Sequence, residues 1–589
     1  MLRFVDEQRA ARDREARARE RDTQRAARGK PSWDLPTEVF VRPGAVAPGA
    51  ETAILPSREL ADTIEQAPGR RRLARSMLIF SLATALSRVL GLVREMVVAY
   101  YFGAAGKINA FTVAFQVPNL VRALVADAAL SSAFVPVFSD LIEKGERKRA
   151  WRVASSLFWL ILLGLTALTA LFVLVAPWVI GIFGNPGGDR SLAVGLSQVL
   201  FPIVALLGIS GVVVGILNTY DQFTVPALSP VVWNIAIIAG LVLGVPEAHS
   251  TNTKLYVYAS SILVATVIQV LLPFPWLRGL DRGEERLRVV LDWRDPMVKR
   301  TLVLMVPVTL GLGLININAV IDTIFASRLI NGDLAPTAIQ KAFLIYMLPQ
   351  GVFSVAIATV LFPSLSRLAA RGDLDGFRER LGLGLRQIAF LLVPVGVVSA
   401  VLANPIVRIL FQRGAWGPGQ TPTVASCLAA FSAGLVFNGT MLMLNRAFFS
   451  LQSNWIPTVV ALGNLFLNAL LDLAFYHLGT WGLPLSTAVV DLAGTVALLV
   501  AMRRRIGGIE GARTAGATAR IVAASAVVGA VAYAVWKPLD AALGRSFPAQ
   551  IASLGLALAA SATTYIASCR VLGVHELEVL AGGARRDRS

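Results

Sequence analysis

The sequence predicts an all-α polytopic membrane protein with about fourteen transmembrane helices, arranged as two six-helix parallel repeats followed by two extra C-terminal helices. Three observations support this class. Of the 589 residues, 55% are hydrophobic and only 16% are charged, whereas soluble domains carry about 25% charged residues. Apolar runs of membrane-spanning length recur along the chain. Two sequence patterns also recur at a constant separation.

Apolar runs begin near residue 77 and continue almost to the C terminus. A transmembrane helix needs about 20 such residues. We therefore predict segments near 77–101, 108–133, 150–182, 192–217, 225–245, 254–277, 300–328, 338–364, 384–411, 422–450, 456–477, 480–502, 518–536 and 547–572. An even number of crossings places both termini on the same side of the membrane.

Lysine and arginine are distributed unevenly between the two sets of loops. The loops on the side of the termini hold basic clusters at 70–75, 144–152, 278–300, 367–380 and 503–513, whereas the opposite loops hold scattered basic residues only. The positive-inside rule therefore predicts that both termini are cytoplasmic. The same distribution accounts for the formal net charge of +18 without nucleic acid as a partner.

An internal repeat divides the chain. AFVPVFSDLIEKGE around Pro136 recurs as VLFPSLSRLAARGD around Pro363, and the segment around Pro226 recurs around Pro457, both about 230 residues later. Transporters built from parallel repeats bind substrate between the halves. The predicted organisation is a basic, disordered cytoplasmic tail (1–76), an N-terminal six-helix lobe (77–280), a C-terminal six-helix lobe (281–505), an extra helix pair (506–575) and a cytoplasmic tail (576–589).

Three arginines lie inside the apolar runs of the first two segments, at positions 88, 94 and 122. An arginine at mid-membrane depth costs about 2.5–3.5 kcal/mol even on the most lenient insertion scale, so such residues normally face a cavity. Their planar guanidinium groups match phosphate oxygens. Arg88, Arg94 and Arg122 therefore predict an anionic, phosphorylated ligand that is handled inside the bilayer.

A second group of polar residues lies in the seventh, eleventh and twelfth segments. Its members are Asp322, then Asn464, Asn468 and Asp472 at helical spacing, then Thr487 and Asp491 at the same spacing. Carboxylate, amide and hydroxyl oxygens suit a hard cation such as sodium. Hydrogen bonding between helices is the alternative interpretation, because asparagine and threonine commonly join helices in membrane bundles.

We find no motif for catalysis in the sequence. GAAGK at 103–107 is too short for a phosphate-binding loop, and we find neither a nucleophile elbow nor a paired His/Cys ligand pattern. These observations predict a transporter rather than an enzyme. A sodium ion is the one candidate cofactor, and the energy would come from a gradient or a potential.

The motifs SRVLGLVRE, AYYFGAAG, AFQVPNLVRAL, AFVPVF and ILNTYDQFTVPALSP resemble the MurJ (MviN) lipid II flippases of the multidrug/oligosaccharidyl-lipid/polysaccharide exporter superfamily. The resemblance covers roughly residues 77–575. It implies that an undecaprenyl-pyrophosphate-linked peptidoglycan precursor, lipid II, crosses from the inner to the outer leaflet by alternating access. The partners implied are lipid II, membrane lipids and cell-wall synthesis proteins.

The resemblance also implies roles for particular residues. The family's cavity arginines fall on Arg88, Arg94 and Arg122, and Asp127 stands where the family usually has glutamate. Members with a sodium site take its ligands from the segments that here carry Asp322, Asn468, Asp472 and Thr487. The last two segments resemble a pair that, with its neighbours, forms a groove for the lipid tail.

Two departures from the family pattern concern the substrate site. Asn109 replaces the aspartate that follows the FGAG motif. Apolar residues around Phe343–Met347 replace a cavity arginine of the eighth segment, and Lys341, one helical turn before the expected position near Leu344, is the candidate substitute for its charge. The alternatives to a lipid II flippase are an exporter of another polyprenyl-linked saccharide or a small cationic drug, and a non-transporting membrane scaffold.

Overall fold

The computed structural model describes residues 68–125, 128–278, 280, 285–509 and 511–577. From Leu73 onward the chain forms one compact unit. Most of the predicted N-terminal tail, Asp127 and the predicted C-terminal tail from residue 578 lie outside the described residues.

The described part of the first half folds into nine α-helices. They are α1 (Pro68–Phe102), α2 (Ile108–Val125), α3 (Ala128–Glu143), α4 (Arg147–Gly181), α5 (Arg190–Leu200), α6 (Ile203–Thr219), α7 (Thr224–Gly244), α8 (Thr251–Leu271) and α9 (Phe274–Leu277). A short 3₁₀ turn, Pro186–Gly188, precedes α5.

The second half contributes nine more α-helices in its described residues. They are α10 (Pro296–Phe325), α11 (Ala335–Arg371), α12 (Leu374–Val401), α13 (Ala403–Phe411), α14 (Gln420–Ser450), α15 (Trp455–Phe475), α16 (Gly482–Ile506), α17 (Gly511–Leu543) and α18 (Phe547–Val571). A π-helical stretch, Ala326–Asn331, extends α10, and a 3₁₀ turn, Tyr476–Leu478, extends α15.

The all-α membrane class is confirmed. Within the described residues, eleven helical stretches are long and apolar enough to cross a membrane. The first, second and seventh predicted segments, which correspond to α1, to α2 with α3, and to α10, are not among those eleven. The exact count of fourteen crossings therefore stays a prediction.

Three predicted segments are divided. The second, 108–133, consists of α2 and the start of α3. The fourth, 192–217, breaks between α5 and α6 at Pro202, and the ninth, 384–411, breaks between α12 and α13 just before Pro405. Proline lacks the amide hydrogen that would bond one turn back, and its ring clashes with that turn. Both prolines lie beside a break, whereas others, such as Pro349 and Pro363 of α11, lie inside a continuous helix.

The internal repeat reappears in the geometry of helix ends. Asp221 and Gln452, 231 positions apart, have left-handed φ values of 58° and 54°. After each, the chain closes the helix with equivalent bonds, Gln222 N–H to Leu217 C=O at 2.9 Å and Ser453 N–H to Phe448 C=O at 3.0 Å. Left-handed residues closing a helix in this way form a Schellman cap. The sequence repeat thus corresponds to a repeated fold.

The C-terminal helix pair, α17 and α18, is joined to the second half by two ion pairs. Arg386 of α12 contacts Glu576 at 3.1 Å, with both side chains 7% exposed. Arg408 of α13 binds the Asp540 carboxylate of α17 through two nitrogens and also donates to Gln550 of α18 at 3.1 Å. The pair is therefore fastened through charged groups that are largely shielded from solvent.

The Arg386–Glu576 pair provides a test of this attachment. Breaking a buried pair from one side typically costs about 3–5 kcal/mol, because the remaining charge has no partner. We expect Glu576→Ala to lower the free energy of unfolding in detergent by about that amount. Arg386→Met combined with Glu576→Ala should recover most of it.

The matched control is Asp375→Ala, because Asp375 pairs with Arg378 at 2.6 Å but is 91% exposed. Exposed pairs contribute at most about 1 kcal/mol. Equal losses in Glu576→Ala and Asp375→Ala would show that the buried pair does not hold the helices.

Candidate functional site

A largely shielded carboxylate, Glu95, joins the two halves of the molecule in the C-terminal part of α1. Glu95 accepts hydrogen bonds from its neighbour Arg94, at 2.7 Å from Nη2 and 3.2 Å from Nε. From α11, the Lys341 ammonium donates to the other oxygen of Glu95. Lys341 is only 2% exposed and its ammonium lies 5.6 Å from the centre of the Phe411 ring. We call Arg94, Glu95 and Lys341 the central charge cluster.

Arg94 is also held from α7. Its Nη1 donates to the Asn234 side-chain oxygen at 3.2 Å, and its guanidinium lies 4.8 Å from the centre of the Trp233 ring. The stacked ring and the fixed acceptor orient the planar group. Arg94 is thus positioned by the first half, while Lys341 comes from the second.

Arg88 lies two turns earlier on α1 and faces a different neighbour. Its side chain is exposed, and its guanidinium lies against Gly351 of α11, where a β-carbon would come 3.2 Å from Cζ and closer still to a nitrogen. The absence of a side chain at Gly351 lets the guanidinium approach the helix backbone. Helix α1 therefore contacts α11 at two positions ten residues apart: Glu95 binds Lys341, and Arg88 lies against Gly351.

Arg122, the third predicted cavity arginine, binds within its own helix. Its Nε and Nη2 donate to the Asn119 side-chain oxygen at 3.2 and 2.9 Å. Arg122 therefore contacts a residue one turn earlier on α2. Asp127 lies outside the described residues.

Asn109 was predicted to bind substrate, and the structure places it in a closed contact between the halves. It is fully buried. Its amide donates to the carbonyl oxygens of Ala104, Gly106 and Asp333 at 2.7–3.1 Å, and its oxygen accepts from the Thr337 backbone at 2.9 Å. In this conformation the Asn109 side chain is satisfied by the backbone.

Further bonds close the same end of the bundle, which the positive-inside rule predicts to be external and which we call the predicted outer end. Thr112 and Thr337 share a 2.8 Å hydrogen bond, Gly187 N–H reaches Gly332 C=O at 2.9 Å, and Ser327 donates to Phe183 C=O at 2.7 Å. Each of these contacts joins the first half to the second. The structure therefore represents a state that is closed at this end.

The predicted cation residues of α10 and α15 meet. Asn468 donates to Asp322 at 2.9 Å and to Asp472 at 3.0 Å. The buried oxygen of the same Asn468 amide has no partner among the described residues. The two carboxylates and the unpaired amide oxygen offer oxygen ligands of the kind that a hard cation takes.

The contribution from α16 differs from the predicted one. Both the Ser486 and the Thr487 hydroxyls lie within hydrogen-bonding distance of the Leu483 carbonyl of their own helix, at 2.8 and 3.3 Å, but Ser486 also contacts Asp472. Ser486 was not predicted, because the helical spacing runs from Asp491 back to Thr487. Glu95 was not predicted either, although a glutamate beside an intramembrane arginine is a recognisable signal of charge pairing.

Comparison with known proteins identifies the family. A sequence profile described as "Lipid II flippase MurJ" matches residues 98–565. The chain belongs to the MurJ family. It is 32% identical over 444 residues to the lipid II flippase MurJ of Burkholderia cenocepacia, covering 74% of this chain and 84% of that protein. It is 31% identical over 439 residues to the probable lipid II flippase MurJ of Vibrio cholerae, covering 71% and 81%.

Solved structures agree on the fold. A lipid II flippase MurJ in an inward closed conformation matches with a TM-score of 0.69 at 24% identity, covering 84% of this chain and 99% of that chain. An inward-facing multidrug transporter of the MATE family matches with a TM-score of 0.63 at 17% identity, covering 74% and 99%. The architecture of this MurJ family member is therefore shared with transporters of different substrates.

Asn109 allows a test of the closed outer end. In Asn109→Asp, an ionised carboxylate would face the three carbonyl oxygens that now accept from the amide, and like charges repel at such distances. We expect the outer end to open at neutral pH and to close again in acid, when the carboxyl carries a proton and can donate. The readout is maleimide labelling of Thr112→Cys, a position now 5% exposed.

Asn109→Gln, which keeps the amide, is the control for altered size. Labelling that is equally low in Thr112→Cys with and without Asn109→Asp at neutral pH would contradict the assigned role of Asn109.

Proposed function

We propose that this chain translocates lipid II from the inner to the outer leaflet of the cytoplasmic membrane by alternating access, with both termini cytoplasmic. The observation that carries the proposal is the central charge cluster, in which cations from the two halves of the molecule meet on one carboxylate. The names of the MurJ relatives support the same substrate.

The chemistry of the cluster suits a pyrophosphate. Charge-assisted bonds from guanidinium and ammonium groups to phosphate oxygens are short and strong. With no substrate bound, Glu95 satisfies Arg94 and Lys341, which would otherwise be buried charges without partners. An incoming pyrophosphate would compete with Glu95 for both cations, and Arg88 would supply a third from the direction of Gly351.

The cations of the cluster come from both halves of the molecule, and this links ligand binding to conformation. Arg94 is fixed to α7 and Lys341 belongs to α11, so a ligand that holds both cations favours the arrangement in which the halves are close. A ligand shifts a conformational equilibrium only by its difference in affinity for the two states. Release at the outer leaflet would require the bonds around Asn109 and Thr337 to break.

Substitution of the arginines tests the substrate site. We expect Arg94→Ala or Arg88→Ala to abolish lipid II flipping in reconstituted vesicles while the protein still inserts and folds. Arg94→Lys should restore little, since it loses the planar fork that fits between Trp233 and Asn234. Lys341→Ala should weaken flipping, and adding Leu344→Arg should restore part of it.

Arg300→Ala is the matched control, because Arg300 is an exposed arginine near the N-terminal end of α10. Full flipping by both the Arg88→Ala and the Arg94→Ala variants would refute the anion site. Complementation of cells that lack their lipid II flippase, run beside vesicles containing a different polyprenyl-linked saccharide, distinguishes lipid II from other headgroups.

We further propose that Asp322, Asn468, Asp472 and Ser486 hold a sodium ion. Bound sodium would supply positive charge between carboxylates that repel each other. The two carboxylates belong to α10 and α15, so their repulsion would act on the packing of these helices. Asn468, which bonds both, holds the pair together.

Sodium-dependent thermal stability of the purified protein, measured against potassium, tests this site. We expect Asp472→Asn to remove the stabilisation by sodium but to leave lipid binding at the arginines intact. Ser486→Ala should reduce the stabilisation and Thr487→Val should not, since the Ser486 hydroxyl contacts Asp472. If Thr487→Val reduced the stabilisation and Ser486→Ala did not, the ligand would be Thr487, as predicted from the sequence. An unchanged sodium effect in Asp472→Asn would exclude the site.

A further inference from the structure

A second polar network lies in the interior of the second half, and the proposed function does not use it. Asp491 of α16 is 5% exposed. Asn438 of α14 donates to both of its carboxylate oxygens at 3.1 Å, and the Tyr346 hydroxyl of α11 donates to one of them at 3.4 Å. Gln350 of α11 donates in turn to the Asn438 side-chain oxygen. The network thus joins three helices around one carboxylate.

No cation pairs with this carboxylate among the described residues. The ion pairs of the central cluster and of the C-terminal helices involve other acids, and the partners of Asp491 are an amide and a phenol. An ionised carboxylate buried without a counter-charge is costly, and such a group is normally neutralised. Intramembrane acids of this kind mark ion or proton pathways.

Two orphan oxygens lie beside the network. Ser354 is fully buried, and neither its hydroxyl nor the side-chain oxygen of Gln350 has a partner among the described residues. Tyr346, Gln350 and Ser354 are four residues apart on α11 and so share one face. The Ser354 hydroxyl lies against Gly439, where a β-carbon would come 2.5 Å from it, next to Asn438. Unpaired buried oxygens of this kind are where water or hydronium binds.

The network also lies near Arg88. Gly351, against which the Arg88 guanidinium lies, directly follows Gln350 on α11. A route for a proton carrier would therefore run from the Arg88 side of α11, past the oxygens of Gln350 and Ser354, to Asn438 and Asp491.

We propose that Asp491 is a proton-binding site, in which the carboxylate takes one proton from hydronium, releases water and becomes a neutral carboxylic acid. The neighbours favour a proton over a metal ion, because a single carboxylate lies here, Asn438 donates to both of its oxygens, and the side-chain oxygen of Asn438 already accepts from Gln350. The consequence for transport rests on the proposed function. Neutralising Asp491 removes a negative charge beside α11, the helix that Arg88 contacts at Gly351.

In the part of the chain that the structure describes, few other titratable groups surround Asp491. Tyr346 faces it from α11, and Arg88 reaches α11 at Gly351. On the side of α15, Asp472 is bound by Ser486, five residues before Asp491 on α16. From α14 the facing group is the amide of Asn438, which does not titrate.

The test uses the purified full-length protein without lipid II, so its outcome is independent of the substrate. Infrared spectra recorded from acid to alkaline pH should show the carbonyl band of a buried carboxylic acid in the wild type and in Asp472→Asn, and its loss in Asp491→Asn. Tyr346→Phe, a conservative change, removes a donor to the ionised form. The pH at which the band disappears should therefore rise in Tyr346→Phe, which keeps the proposal testable if Asp491→Asn fails to fold.

Stability provides a second readout. A proton bound more tightly in the folded state stabilises the protein at low pH, and this stabilisation is lost as pH rises. The thermal midpoint of Asp491→Asn relative to wild type should therefore increase with pH. An unchanged band in Asp491→Asn, or parallel pH profiles, would overturn the proposal. A difference that depends on sodium but not on pH would overturn it in favour of a metal ion.

Transport is then measured separately. In vesicles, flipping by the wild type should depend on pH and flipping by Asp491→Asn should not. If the infrared and stability results hold while neither protein moves lipid II, the proton site stands and the proposed substrate is wrong.

Discussion

The sharing of Glu95 between Arg94 and Lys341 is the interaction on which the arrangement of the two halves depends. Burial of a charge in the bilayer is tolerated only when a partner compensates it. Here one carboxylate compensates two cations that come from different halves of the molecule. Separation of the halves would leave Lys341 without its carboxylate partner. The distance between the halves therefore depends on the charge that lies between them.

Much of the fold could be predicted from the sequence, because membrane-spanning length and basic loop residues are local signals. The parallel repeat was also visible, and the matching caps at Asp221 and Gln452 show its physical basis. The breaks at Pro202 and before Pro405 were missed, since the apolar runs continue through them. Hydropathy records how apolar a run is but not whether its backbone hydrogen bonds are continuous.

The site was predictable in its residue types but less so in its pairings. Arg94 was found from the cost of placing charge in an apolar run, and Lys341 from its place near the arginine expected by the family resemblance. Their shared partner Glu95 was not found, because sequence spacing does not reveal contacts between distant helices. Asn109 was assigned to substrate from its position in a motif. The structure shows its amide bonded to backbone carbonyls at the predicted outer end, a contact that depends on the loop at 331–334, and its role toward substrate stays a prediction.

The ion pairs at Arg386 and Arg408 have a mechanical consequence. Because they join α17 and α18 to α12 and α13, a rotation of the second half would carry the C-terminal pair with it. Any acyl chain resting on that pair would travel with the second half, whereas Arg94 travels with the first. A lipid bound at both places would then be twisted between its headgroup and its tail in each transport cycle.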